Sequence, residues 1–267
     1  METILDTLAK CAAERTEQHK AYRSLASVRA DAEAMPKGTF AFQQAIEKRV
    51  AESDEPAFIC ECKKASPSKG LIAPDFPYLQ IAKDYEAAGA DCISVLTEPQ
   101  YFLGDDRYLQ EIAAAVQIPC LRKDFTVDPY MIYEAKLLGA SAILLICSIL
   151  DSGALREYHA IADELGLSAL VEAHDAHEIE TAAGIGAKII GVNNRNLKDF
   201  SVNAHHALDL IDCCPAGTLF VVESGMKTPQ DIQAAKDAMA DAVLIGETLM
   251  RAPDKAAMMR YLKGEPA

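Results

Sequence analysis

Gly139-Ala140-Ser141-Ala142-Ile143-Leu144-Leu145-Ile146 joins a glycine that ends a helix to an unbroken apolar run. Glycine reaches the left-handed backbone that closes a helix at little cost, and an apolar run without polar alternation suits a parallel strand covered on both faces. Upstream, Asp128-Pro129 sets an N-cap acid before proline at a first helical position. The stretch therefore reads as a helix feeding straight into a strand. The same punctuation recurs at Gly89-Ala90-Asp91 and Gly186-Ala187-Lys188, a spacing of roughly two βα units that hints at internal duplication.

Working outward, eight runs have strand character: Ala57–Lys63, Cys92–Leu96, Pro119–Lys123, Ala142–Ile146, Ala169–Glu172, Lys188–Val192, Leu219–Val222 and Ala242–Ile245. Helical patterning follows each, with a further N-cap at Thr228-Pro229 and capping-box spacing between Asp175 and Glu178. Such alternation fits a closed barrel or a doubly wound open sheet. No glycine-rich fingerprint follows the first strand, and Gly184-Ile185-Gly186 follows a helix, so the expected fold is α/β, a single (β/α)8 TIM barrel.

The barrel is expected to occupy residues 51–267. Residues 1–50 read as an N-terminal helical extension: a polar amphipathic helix through about Ala34, a break at Met35-Pro36-Lys37-Gly38, then a helix over Phe40–Val50 with Phe42, Ile46 and Val50 on one face. That face must pack on the barrel, either plugging its surface or crossing its mouth.

Composition narrows the function. Forty acidic against 26 basic residues give a net charge of -14, which argues against nucleic acid or a membrane surface as partner. An anionic substrate would then need its own focused positive site. Glu2, Asp6 and Glu14 interrupt the start where a signal peptide needs an apolar run, and no stretch approaches a membrane span, so a cytoplasmic enzyme is expected. Of the eight cysteines, Cys60, Cys92, Cys120 and Cys147 lie in apolar runs and read as small hydrophobes. Cys60 with Cys62, and Cys213 with Cys214, lack metal-ligand or disulfide spacing; His174, His177, His205 and His206 read as surface residues; no metal site is expected.

Chemistry collects at the strand ends, the edge where barrel enzymes carry their active sites. Glu61 and Lys63 stand two apart on the first strand and share a side; if Cys60 and Cys62 meet the helices, the charged pair enters the barrel. Lys123 closes the third strand, Glu172 the fifth, and Asn193 with Arg195 follow the sixth. A buried structural ion pair could explain one such pair, but converging groups of both signs favour a site. Glu223-Ser224-Gly225-Met226 and Leu244-Ile245-Gly246-Glu247-Thr248 follow strands seven and eight, the usual phosphate position, where glycine lets backbone N–H groups approach oxygen and a helix starting near Glu247 adds positive partial charge.

Glu61-Cys62-Lys63-Lys64-Ala65-Ser66-Pro67-Ser68-Lys69-Gly70 resembles the first-strand signature of the indole-3-glycerol-phosphate synthase family. Ser94-Val95-Leu96-Thr97-Glu98, Tyr101-Phe102, Lys123-Asp124-Phe125, Gly191-Val192-Asn193-Asn194-Arg195-Asn196-Leu197, Glu223-Ser224-Gly225 and Leu244-Ile245-Gly246-Glu247 extend the likeness over almost the whole chain. The resemblance implies a lyase that converts 1-(2-carboxyphenylamino)-1-deoxyribulose 5-phosphate into indole-3-glycerol phosphate, carbon dioxide and water in tryptophan biosynthesis, with no cofactor. It implies Lys123 as the acid for ring closure, Glu172 for dehydration, and Lys63 for the substrate carboxylate or a second proton transfer. Glu61 would keep the lysines charged and oriented, and Asn193 would bind a substrate hydroxyl or Glu172. Arg195 would steady the anthranilate carboxylate or the loop around it. Ser66, Ser224, Gly225, Gly246 and the Glu247 backbone would surround the phosphate. Phe125, Pro67, Phe102, Leu144, Leu197 and Leu244 would form the slot for the aromatic ring. The alternatives are a sugar-phosphate isomerase on a related aminodeoxyribulose phosphate and a silent barrel that only binds the ligand.

Overall fold

In the computed structural model, which describes residues 3–196 and 200–265, eight parallel strands close into one barrel. They are β1 (Ala57–Cys62), β2 (Cys92–Leu96), β3 (Cys120–Lys123), β4 (Ala142–Ile146), β5 (Ser168–Ala173), β6 (Ile189–Asn193), β7 (Leu219–Glu223) and β8 (Ala242–Ile245). Each pairs with its sequence neighbour, and β1 closes on β8 through Ala57 opposite Ala242 and Cys60 opposite Ile245. The expected helix caps hold: Asp128 and Thr228 accept from the first turns of Pro129–Leu137 and Pro229–Asp237. Gly89, Gly139 and Gly186 end their helices at positive φ.

Side-chain alternation sorts the strands into two cores. Ala57, Ile59, Leu121, Leu144, Leu170, Val221 and Leu244 fill the barrel interior, while Cys60, Cys62, Ile93, Ile143, Val171 and Val243 face the surrounding helices. The cysteines of β1 therefore point outward, as a period of two requires once Glu61 is inside. All eight cysteines are free thiols. Burial among apolar neighbours pushes the Cys62 thiol well above its usual range, which keeps it protonated and unreactive.

Two expectations need correction. The first helix does not run unbroken to Ala34: α1 (Ile4–Tyr22) stops, and Ser24 caps a separate α2 (Leu25–Ala34) by accepting from Ser27 N–H. Ser24 is a good N-cap inside a continuous polar pattern, and side-chain periodicity alone does not register the break. Between β6 and β7 the described residues contain no α-helix, only the 3-10 segment Leu208–Cys213. Pro215 bars its continuation, and Asn194 ties the segment to the mouth, accepting from Ala207 N–H at 2.8 Å and donating to the Ser224 carbonyl at 3.0 Å.

The N-terminal helices meet both ends of the barrel. Helix α3 (Ala41–Ser53) lies under the strand starts: Phe42 and Ile46 are fully buried against the interior core, and the Gln43 N–H donates to Ser168 Oγ at the beginning of β5. Helix α1 lies at the opposite rim, where Leu5 and Leu8 face the cavity described next. Both arrangements envisaged for the extension are thus present, each in a different helix.

Candidate active site

A cavity of about 330 Å³ opens at the C-terminal ends of the strands. It brings together Glu61, Lys63, Ser66, Lys123, Phe125, Glu172, Asn193, Arg195, Ser224, Gly225, Leu244, Gly246 and Glu247, and from the expected apolar slot Pro67, Phe102 and Leu144 as well. Leu197 of the expected apolar slot lies outside the described residues.

Its centre is the Lys123 ammonium, 3.0 Å from Glu172 Oε2 and 3.0 Å from Glu223 Oε2. Glu61, Lys123, Glu172 and Glu223 come from alternate strands β1, β3, β5 and β7, the way a barrel stacks four side chains in a layer. Here the uppermost layer is charged. Burial opposes a charge on Lys123, but the two carboxylates outweigh it and raise its pKa, so the ammonium is firmly protonated. Burial likewise disfavours ionised Glu172, yet Lys123 and His174 hold its pKa below the usual value. Glu223 goes the other way: burial, with Glu172 as a like-charged neighbour, pushes it up to about 7 despite Lys123. One ammonium shared by two buried carboxylates thus leaves one ionised and one poised to carry a proton near neutrality.

Lys63 Nζ lies 2.5 Å from Glu61 Oε1 at the end of β1. Room for these carboxylates comes from two glycines. A Cβ at Gly246 would stand 2.3 Å from Glu61 Oε1, and one at Gly191 would stand 2.3 Å from Glu223 Oε1. Glycine at 246 is therefore needed beside Glu61, a reason beyond the anion approach expected of it.

Asn193 Nδ2 is 3.4 Å from Glu172 Oε1, and its Oδ1 accepts from Arg195 N–H at 3.0 Å. The Arg195 guanidinium donates to the Phe200 carbonyl at 3.2 Å, so it braces the following loop. Ser224 and Gly225 both have positive φ, which turns the chain sharply after β7. The expected helix at Glu247 has only five residues, Glu247–Arg251, too short to carry much of a dipole alone. Positive charge comes as well from Lys69, Lys227 and Arg251, which line the same end. The Glu247 carboxylate pairs with Arg251 at 3.0 Å and faces Lys69 at 3.8 Å. With Lys63, Lys123 and Arg195, six cationic side chains line the cavity against five carboxylates, a local excess of positive charge in a chain of net charge -14.

Apolar wall comes from Phe102 and Phe125, with ring centroids 6.1 Å apart, and from Leu144, Ile146 and Leu244. Some motif residues serve the scaffold instead. Glu98, fully buried, accepts the N–H groups of Gln100, Tyr101 and Phe102, and Asp124 takes both oxygens to Arg15 Nη2 at 2.8 Å.

Sequence reasoning overlooked three features. Glu223 has no role of its own in the sequence reading, although Val221 inside and a period of two place it inward. Leu5 and Leu8 carried no signal, because their partners are distant in sequence. His174 is not a surface residue: its side chain is 21% exposed, and Nε2 lies 3.4 Å from Glu172 Oε1. His177 and His205 are exposed as expected. His19, Asp106 and Glu134 converge closely, but the Arg122 guanidinium already occupies that acidic cluster, 2.7 Å from Asp106 and 2.8 Å from Glu134.

A family model described as indole-3-glycerol phosphate synthase matches residues 5–262. The chain belongs to the indole-3-glycerol phosphate synthase family. An indole-3-glycerol phosphate synthase of Ruminiclostridium cellulolyticum is 53% identical over 262 residues, covering 98% of this chain and 99% of the relative. One from Endomicrobium trichonymphae is 48% identical over 261 residues, with 97% and 99% covered. Among solved structures, a 3-hexulose-6-phosphate synthase superposes with a TM-score of 0.64 at 16% identity, over 79% of this chain and 100% of that one, a likeness of fold alone. Membership agrees with the signature at Glu61–Gly70, of which Glu61, Lys63 and Lys69 face the cavity of this family member.

Proposed function

We propose that the chain closes the indole ring of 1-(2-carboxyphenylamino)-1-deoxyribulose 5-phosphate, with loss of carbon dioxide and water, to give indole-3-glycerol phosphate in tryptophan biosynthesis. Family membership and near-complete coverage by relatives of that name support the activity. The observation that carries the reading is the Lys123 ammonium held between the buried Glu172 and Glu223 carboxylates at the apolar floor of a cationic cavity.

The reaction begins when the ring carbon bearing the carboxylate attacks the ketone and an alkoxide develops. Lys123 protonates that oxygen, and the positive field around it stabilises the charge. Departure of carbon dioxide returns its bonding pair to the ring system and restores aromaticity. Dehydration then needs a proton for the leaving hydroxyl and a base for the neighbouring C–H. Glu172, ionised and 3.0 Å from Lys123, is placed to take the second. Glu223, with a pKa near 7, is a proton reservoir on the other side of the ammonium.

Lys63, oriented by Glu61, takes the substrate carboxylate or the second proton transfer. Arg195 and Asn193 hold the loop and a substrate hydroxyl. Ser66, Ser224, Gly225, Gly246 and the Glu247 backbone, with Lys69, Lys227 and Arg251, take the phosphate. Phe125 and Leu244 seat the aromatic ring, where exclusion of water strengthens the charge interactions beside it. Residues 1–50 belong to this working unit as an extension around the 51–267 barrel. Cytoplasmic action fits the reading, and no helix among the described residues is long and apolar enough to cross a membrane.

The test is turnover of the carboxyphenylamino substrate by the purified chain, followed by indole fluorescence. No product from the substrate at saturating concentration would overturn the assignment.

A further inference from the structure

On the reaction just proposed, the substrate carboxylate leaves as neutral carbon dioxide, and that has a consequence for proton traffic. One proton goes to the ketone oxygen when the C–C bond forms and one to the hydroxyl when the C–O bond breaks, while one returns from the C–H. Each turnover therefore draws one net proton from solvent. The groups that need it have little access to water: the Glu172 side chain is 3% exposed, and on the proposed reaction the substrate would take the cavity that Glu172 lines.

A second cavity, of about 560 Å³, lies behind Asn193 and Arg195, which line both spaces. Glu172 lines only the first and His174 only the second, yet His174 Nε2 stands 3.4 Å from Glu172 Oε1. Among the described residues, no hydrogen-bond partner satisfies that buried nitrogen. On its other edge, Nδ1 lies 3.3 Å from Glu178 Oε2, and Glu178 is 19% exposed. Glu178 is thereby diverted from the capping box expected with Asp175. Asp175 does accept from Glu178 N–H, but the Glu178 carboxylate turns back to the His174 N–H at 2.7 Å and to its ring.

We infer that His174 is a positioning residue that relays protons from the second cavity, by way of Glu178, to Glu172 and so to Lys123. The relay runs Glu178, His174, Glu172, Lys123, with separations of 3.3, 3.4 and 3.0 Å. As Nε2–H passes to the Glu172 carboxylate and Nδ1 accepts the replacement, the ring is left as its Nδ1–H tautomer, and a turn of the ring resets it before the next transfer. Imidazole suits this, because it gains and loses a proton close to neutral pH. Burial works against a charged ring, but the Glu178 hydrogen bond and the nearby Glu172 and Glu223 raise the His174 pKa overall. The other ionisable groups around it are Asp175, Asp6 of α1, Arg195 and His206, whose Nε2 bonds the His174 carbonyl rather than the ring.

The experiment compares first and later turnovers of His174→Asn in a dilute buffer free of imidazole, with and without added imidazole. Steady-state kcat is expected to fall about 10-fold or more while KM changes less than about twofold, the first turnover to fall much less, and added imidazole to restore the later ones. Glu178→Gln, which keeps the shape of the helix start, should reproduce the pattern in weaker form if His174→Asn does not fold. Equal losses in first and later turnovers without an imidazole response, or a kcat close to that of the unmodified chain, would overturn the relay. Failure of the unmodified chain to form product would instead overturn the proposed function, so the two outcomes are separable.

Discussion

Helices α1 and α3 belong to the same N-terminal extension, yet they hold opposite ends of the barrel by different forces. At the floor, Phe42 and Ile46 of α3 are fully buried against the interior core. At the mouth, α1 is held by polar contacts: the ion pairs of Arg15 with Asp124 at 2.8 Å and Lys20 with Asp128 at 2.6 Å, and the contact of His19 Nδ1 with Glu134 Oε1 at 2.8 Å. Ile4, Leu5, Leu8 and Ala12 add apolar cover there. Burial at one end gives stability that salt barely touches, whereas paired charges at the other give orientation beside a charged site and respond to ionic strength.

The largest effect should come from the mouth. Lys123→Ala is expected to lower turnover by roughly 10²- to 10⁴-fold with a smaller change in ligand affinity, measured by steady-state indole fluorescence and by product binding. At the floor, Phe42→Ala should cost about 3–5 kcal/mol in denaturant unfolding through lost burial and a cavity, with kcat nearly retained in the protein that remains folded. A kcat loss as large as the stability loss would erase the division between the two ends.

Glu223→Gln sharpens it further. The folded-state pKa near 7 lies above the unfolded value, so the wild-type contribution of this group is present at low pH and lost as pH rises through about 7. Relative to wild type, the Gln variant should gain stability between pH 5 and pH 8 by on the order of 2 kcal/mol, and the inflection near neutrality should leave its kcat profile. Flat relative stability across that range would show that Glu223 is already ionised. The smallest effect belongs to Lys20→Met. Both partners of that pair are 24% exposed, so it should cost under about 1 kcal/mol at low ionic strength and nothing measurable in about 1 M salt.

Much of this was readable from residue order. Apolar runs following glycine helix ends marked the strands within a residue or two, because a parallel strand shielded on both faces needs little else. Glu61, Lys63, Lys123 and Glu172 were legible as site residues because each ends a strand and because a period of two assigns them a side. Glu223 was legible by the same rule and was passed over. His174 was not: it stands just before a helix, carries the pattern of a surface turn, and is partly covered with Glu172 and Glu178 on either edge of its ring. The break at Ser24 and the missing helix before β7 were also hidden, since both depend on local caps that hydropathy does not record.

By itself, the order of residues determined a closed eight-stranded barrel, a charged mouth and the family, since these follow from local periodicity and short motifs that the backbone geometry enforces. Tertiary structure alone decided that one ammonium serves two carboxylates, that α1 and α3 occupy opposite ends, and that His174 stands between two cavities. Those outcomes depend on distances between segments a hundred or more residues apart in sequence, such as Lys123 and Glu223 or Gln43 and Ser168, and the energy of a buried charge is set by its neighbours in space.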